Sequence, residues 1–396
     1  MELGTATRGG LSFTADHHMA YAADVLVALA FVAAGYWAWA AYRTHAFKRC
    51  RPAHSGFAPS VSVLKPLCGI QPGLYETLRS FCAQAYPEFQ LVFGTNDPAD
   101  PAVDVVRRLI DEFPSLDMVL VCDGHALGAN PKLSNVVNLY KSARHDAIVL
   151  ADSDVQVGPD YLRTVVAPLA DSGTGLVTCL YGAVPMPGLP SALGAMYVND
   201  WFFPSALVAA ARPLGYAFGA TIACRRDVLD ALGGFESVAD YLADDYMLGR
   251  AVAETGRRVE LSPLVVRIIV HERDFAALVG HELRWARTIR SVRPVGYLLS
   301  FVTFGAPLAL LAVAVGGATP VTIAALSANV VARLFGWHAT RRTAGLPLRL
   351  GDACLLPVRD VLSLGIWLWS FCGRAVRWYG QSFTIDHQGR LRRTTS

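Results

Sequence analysis

The sequence predicts an α/β domain built on a parallel sheet and framed by membrane helices on both sides, and three observations carry that prediction. Between residues 61 and 154, strand-like and helix-like stretches alternate: VSVLKP, a helix over 75–84, FQLVFGTND, a helix over 102–113, MVLVCD, a helix over 132–143, and AIVLADSD. Alternation of this length requires right-handed crossovers and therefore a parallel sheet. Outside this block lie long apolar runs, over 25–42 and 295–317 without any charge and over 321–335 with only Arg333. The third observation is composition: 53% of the 396 residues are hydrophobic and 17% charged, with a mean hydropathy of +0.35. An ordinary soluble chain of this size is less apolar, so part of this one lies in a bilayer.

Residues 1–18 are polar and read as loose. Residues 19–43 read as a transmembrane anchor, apolar from Val25 to Tyr42 and bounded by Asp24 and Arg43. A cleaved signal peptide carries its positive charge ahead of the apolar run. Here Arg43, Lys48, Arg49 and Arg51 follow it, which predicts an uncleaved anchor with its N-terminus outside and the next domain in the cytoplasm. Residues 44–60, with Pro52, Gly56 and Pro59, read as a linker into a domain over 61–294.

Within that domain LVTCLYG reads as a further strand, MYVNDWFFP as an aromatic segment, and residues 265–270 as a strand ending at His271. LADDYML places Asp244 and Asp245 at a helix start; capping and dipole compensation explain one acid there, and two in a row less easily. Residues 295–376 read as C-terminal membrane segments, with 295–317 and 321–335 forming a helical hairpin. The stretch 353–372 is interrupted by Pro357, Arg359 and Asp360, and charges at bilayer depth are costly, so it is predicted to lie at the interface or to enter only part way. Residues 377–396 read as a basic cytoplasmic tail. A net charge of +3 with arginines spread along the chain gives no nucleic-acid-binding stripe. Eight cysteines without a CxxC pair read as reduced thiols rather than a metal cluster.

The predicted strands end in polar groups: Lys65, Asp97, Asp123, then Asp152 and Asp154. Open α/β sheets bind ligands at the carboxyl ends of their strands. Asp152 and Asp154, two apart on a strand, point to the same side and can together hold a hard divalent cation, Mg²⁺ or Mn²⁺. An isolated D-x-D is as readily a capping turn, and it is the repetition at strand ends that favours a site. A dinucleotide fold is disfavoured because LCGIQPG, not GxGxxG, follows the first strand. His271 reads either as a third metal ligand or as a hydrogen-bonded structural histidine.

The ordered set VSVLKPLCG, FGTNDPAD, NPKLSN, ADSD, GGF, LADDYML and HELRW resembles the family of ceramide glucosyltransferases and, more closely, the bacterial hopanoid-biosynthesis glycosyltransferases related to them. The resemblance covers about residues 61–294. It implies a GT-A (Rossmann-like) nucleotide-sugar fold and inverting transfer of glucose or N-acetylglucosamine from a UDP-sugar to a lipid hydroxyl, at the face of the inner (cytoplasmic) membrane. A hopanoid is the first acceptor it suggests, with ceramide as the alternative. By resemblance Asp97 contacts the nucleotide, Asp152 is the second family aspartate and Asp245 is the catalytic base. HELRW matches a Q/R-x-x-R-W signature at Arg284 and Trp285 and departs from it at His281.

Elementary chemistry agrees with these roles. A base must take the acceptor proton, and a cation on Asp152 and Asp154 can neutralise the departing diphosphate. Arg284 offers a permanently charged planar donor for phosphate oxygens. Trp285 offers a flat face for sugar or lipid, or equally an interfacial anchor. Lys65 and Lys132, two of four lysines, suit phosphate or uracil contact. Two other functions compete: a polysaccharide synthase, which needs more spans, and a non-catalytic nucleotide-binding scaffold, against which the density of strand-end carboxylates argues.

Overall fold

The computed structural model describes residues 9–48 and 56–394, with side chains from 18–47 and 56–394. Part of the stretch read as loose (1–8) and part of the predicted linker (49–55) lie outside the described residues.

Strands β1 (Val61–Pro66), β2 (Phe89–Thr95), β3 (Asp117–Cys122) and β4 (Ala147–Ala151) pair in parallel in the order β3-β2-β1-β4. Every residue of β1 and β4 is buried, as uninterrupted apolar strands covered on both faces should be. The helices Leu74–Cys82, Ala102–Glu112 and Pro131–Tyr140 make the crossovers. The chain leaves β1 towards β2 and β3, then returns to β4 on the other side of β1. A crevice therefore opens at the carboxyl ends of β1 and β4, where such sheets bind ligands.

Beyond β4 the sheet becomes mixed. β5 (Val155–Gln156), β6 (Thr174–Pro185), β7 (Thr221–Arg225) and β8 (Arg258–Val270) extend it to eight strands in the order β3-β2-β1-β4-β7-β6-β8-β5. β7 runs antiparallel to both β4 and β6, whereas β6 and β8 are parallel.

Three helices among the described residues are long and apolar enough to cross a membrane: His18–Phe47, Pro320–Ala344 and Leu350–Ser370. The first belongs to a longer helix, Gly9–Lys48, so residues 9–18 are helical rather than loose and the linker starts later than residue 44. The straight span expected over 295–317 is corrected to two helical segments, Pro294–Thr303 and Gly305–Gly316, bent by 60°. Pro307 explains the break, because it has no N–H to give the Thr303 carbonyl four residues back. That carbonyl accepts the Trp37 indole N–H instead, at 2.8 Å.

The interruption expected at 353–372 is also corrected. Leu350–Ser370 is one continuous helix, and its charges meet partners rather than lipid. Arg359 makes a two-pronged pair with Glu282 at 2.6 and 2.7 Å, and Asp360 meets Arg333 at 2.6 and 3.1 Å. Paired, hydrogen-bonded charges escape most of the cost of burial.

The predicted basic tail is likewise not a simple tail. β9 (Ala375–Trp378), β10 (Gln381–Ile385) and β11 (Leu391–Arg393) form a three-stranded antiparallel sheet. Its Val376, Phe383, Ile385 and Leu391 pack on Leu242 and Ala129 of the α/β domain. The β9–β10 turn consists of Tyr379 and Gly380, with φ of 49° and 73°, a two-residue turn of the kind that favours Asn-Gly.

Candidate active site

A cavity of about 550 Å³ lies at the carboxyl ends of β1 and β4 and takes in Lys132, Asp152, Asp154, Asp244, Asp245, His271, Arg284 and Trp285. Most residues singled out from the sequence thus share one space.

Local sequence rules place each of them. Asn130 caps the Pro131–Tyr140 helix by accepting the Leu133 N–H at 3.0 Å, with Pro131 in the first helical position. Lys132 therefore emerges from the helix start. Its ammonium lies 2.6 Å from Asp152 Oδ1 and 3.6 Å from Asp244 Oδ2. Burial works against that charge, but Asp152 and Asp244 outweigh it and hold the lysine above its ordinary value.

Asp154 is pushed up to about 6, first by burial and then by the neighbouring Asp152 carboxylate. Asp245 is pushed up to about 7, first by burial and then by Asp244. Its Oδ1 accepts the Tyr246 N–H at 2.8 Å. Two close approaches seat it. Any side chain at Gly249 would strike the Ala217 backbone, which fixes the Asp244–Glu254 helix, and a Cβ on Gly219 would come within 3.0 Å of Asp245 Oδ2.

The Phe275–Val292 helix delivers Arg284 and Trp285. The Arg284 guanidinium lies 5.7 Å from the Trp378 ring centre, and burial pulls its pKa below the ordinary value. Trp285 stacks on Tyr197 at 5.5 Å, and Tyr197 stacks in turn on Trp201 at 5.1 Å. His281 Nδ1 lies 2.7 Å from Glu272 Oε1, and its ring centre is 4.1 Å from that of Trp285.

Two predicted contact residues stand apart. Lys65 lies wholly buried beneath the β4 turn, donating to the Asp152 backbone carbonyl, with its ammonium 4.0 Å from the Phe81 ring centre. Burial draws its pKa down to about 7. It props the aspartate turn rather than facing the cavity. Asp97 is exposed at the end of β2, and its Oδ1 accepts the Ala99 N–H of its own loop at 2.8 Å.

The structure also adds Trp378, Tyr379, Tyr181 and Glu272 to the lining. The first two carried a readable signal, the strand-like alternation of VRWYGQSFTI about a Tyr-Gly turn.

Among the described residues no three His, Cys, Asp or Glu side chains are gathered closely enough to hold a metal. His271 therefore shares the cavity without completing a three-ligand set. Asp152 and Asp154 nonetheless suit a hard divalent cation, since both offer carboxylate oxygens, and burial and then the Asp152 carboxylate raise the pKa of Asp154, both of which a cation would offset.

The profile of glycosyl transferase family 21 matches residues 25–391. The chain belongs to this family. Its relatives include ceramide glucosyltransferases 1 and 3 of Caenorhabditis elegans, 28% and 30% identical over 205 residues, or 52% of this chain. The ceramide glucosyltransferase of Candida albicans is 30% identical over 122 residues, 28% of this chain and 22% of its own length. The match spans less than half of each nematode relative, 44% and 45%. The family 21 chain also resembles the mannosyltransferase PcManGT of Pyrobaculum calidifontis, solved with GDP-Man and Mn²⁺. That likeness has a TM-score of 0.50 and 22% identity over 89% of this chain and 95% of that one. The fold is GT-A, with apolar helices on both sides of the α/β domain.

Proposed function

We propose that this family 21 chain moves a sugar from a UDP-sugar to a hydroxyl of a membrane lipid. The observation that carries the reading is one cavity holding both a half-buried carboxylate poised near neutrality, Asp245, and a carboxylate pair set among cations, Asp152 and Asp154 with Lys132 and Arg284. In transfer with inversion the acceptor oxygen forms a bond to the anomeric carbon as the bond from that carbon to the diphosphate breaks. Asp245 takes the hydroxyl proton. Lys132 and Arg284 meet the charge that collects on departing UDP. A Mg²⁺ or Mn²⁺ ion held by Asp152 and Asp154 would supply Lewis-acid stabilisation of the same charge.

The stack of Tyr197, Trp201 and Trp285 links this cavity to the bent membrane pair, where the Trp201 indole N–H donates to Thr303 Oγ1 at 2.9 Å. That apolar wall suits the approach of a lipid acceptor from the bilayer. The names of the relatives favour a ceramide-type acceptor over the hopanoid suggested first by sequence. Basic residues after the first span favour placement of the catalytic domain on the cytoplasmic side of a bacterial inner membrane.

The test uses the full chain in nanodiscs with UDP-glucose or UDP-N-acetylglucosamine and Mn²⁺, offering ceramide, a polyhydroxylated hopanoid or neither. Mass spectrometry should find a lipid-linked hexose whose yield matches the UDP released, with ceramide the better acceptor. UDP released without any glycolipid would sink the lipid reading.

A further inference from the structure

The C-terminal sheet straps together the two elements that carry the catalytic groups. On one side Arg287 donates to the carbonyls of Ala375 and Cys372, and Arg290 donates to that of Gly373 at 2.7 Å, all from the helix that bears Arg284. On the other side the Leu391 N–H donates to the Asp240 carbonyl at 2.7 Å, and Arg390 Nε donates to Tyr241 Oη at 3.2 Å, a few residues before Asp244. The β9–β10 turn thereby arrives over the cavity, and Trp378 and Tyr379 line it.

Tyr379 is the only residue other than glycine with a positive φ among the described residues. The first position of such a turn suits Asn, Asp or Gly, and a bulky side chain there is strained. Strain of this kind persists where a site needs the side chain. The phenol of Tyr379 is in electrostatic reach of Lys132, Asp152 and Arg284, the groups around which the diphosphate would sit.

We propose that the C-terminal sheet is the roof of the donor site and that Tyr379 binds the donor, its hydroxyl donating to a diphosphate oxygen of the nucleotide sugar beside Lys132 and Arg284. The inference rests on the UDP-sugar reading above. It assigns work to a segment that packing alone would leave as a surface appendage. A hairpin needed only for packing would be better served by Asn at this position.

Two variants of the full chain, Tyr379→Phe and Tyr379→Asn, separate these cases, with UDP binding followed by calorimetry in Mn²⁺, a melting curve for each, and donor and acceptor KM. Tyr379→Phe should weaken UDP binding about tenfold, as loss of a hydrogen bond to a charged group does, while melting temperature and acceptor KM stay put. Tyr379→Asn should lose UDP affinity to the same degree or more while melting at or above the wild-type temperature. Wild-type UDP affinity in both variants overturns the inference alone. A lowered melting temperature in Tyr379→Phe, with donor and acceptor KM rising together, overturns it in favour of a prop. A wild-type chain that binds no UDP overturns the donor reading and this inference with it.

Discussion

The two carboxylate pairs of the cavity meet across Lys132 yet hold their charge differently. Asp152 has the lysine at 2.6 Å, and Asp154, raised by burial and by Asp152, is drawn back down by the ammonium of Lys65 beneath it. Asp245 has no ion-pair partner among the described residues, and after burial its strongest influence is another acid, Asp244. The first pair is therefore set against two lysines, whereas Asp245, in the second, has no cation in contact among those residues and is ready to accept a proton. Neighbours, not residue type, divide the roles.

The sharpest way to break that division is Asp245→Asn, which keeps the shape and removes proton acceptance. Transfer to lipid should fall on the order of 10²- to 10⁴-fold, with UDP binding unchanged. Its pH dependence has a definite sign. Asp245 must be ionised to act, and its value of about 7 means that kcat/KM of the wild type rises with pH through that region. Stability runs the other way. A carboxyl raised from 3.8 to about 7 contributes stability at low pH that is lost as pH rises through the folded value. The Asn variant cannot ionise and should melt no lower than wild type at pH 8. Near-normal transfer by Asp245→Asn would abolish the distinction between the pairs.

Asp152→Ala and Asp154→Ala probe the other pair. Each should weaken UDP binding at least tenfold in Mn²⁺, a loss of about 1.4 kcal/mol or more. A metal chelator should bring wild type and both variants to a similar weak affinity, and it should leave Asp245→Asn indistinguishable from wild type under the same treatment. Calorimetric affinities in Mn²⁺ that match wild type in both alanine variants would remove the metal from the cavity.

The cation-backed half of the site was far more legible in the sequence than what surrounds it. β1 to β4 announce themselves as apolar runs ending in polar residues, and the crevice at their ends follows from strand order alone. Strand ends do not reveal where a side chain turns, which is why Lys65 sits beneath the β4 turn and Asp97 folds onto its own loop. Arg359 and Asp360 looked prohibitive for a membrane helix because their partners, Glu282 and Arg333, are 77 and 27 residues away. Only the tertiary fold brings such charges together. The bend near Thr303 was within reach, since Pro307 marks it, but an unbroken apolar run dominated that stretch. In the tail the density of arginines masks the alternation and the Tyr-Gly turn that carry its structure.

The smallest expected effect lies in the helix that faces both pairs. Arg284 and His281 occupy successive turns of Phe275–Val292 and both line the cavity, yet the family signature holds at Arg284 and lapses at His281. Arg284→Ala removes a permanent charge from the diphosphate side of the cavity and should raise donor KM and lower kcat together, by roughly 10- to 100-fold for a lost charge-assisted hydrogen bond. His281 is different. Burial lowers its pKa and so favours the neutral ring, and its polar partner is Glu272 at 2.7 Å. Gln is also neutral, reaches a similar distance, and can donate to the same carboxylate. His281→Gln should therefore retain activity within about threefold, less than 1 kcal/mol, and leave the pH profile in place because Asp245 sets it. A His281→Gln variant as damaged as Arg284→Ala, or one whose pH profile moves, would show that the imidazole itself carries a proton in the reaction and that the poised group of this cavity is not Asp245 alone.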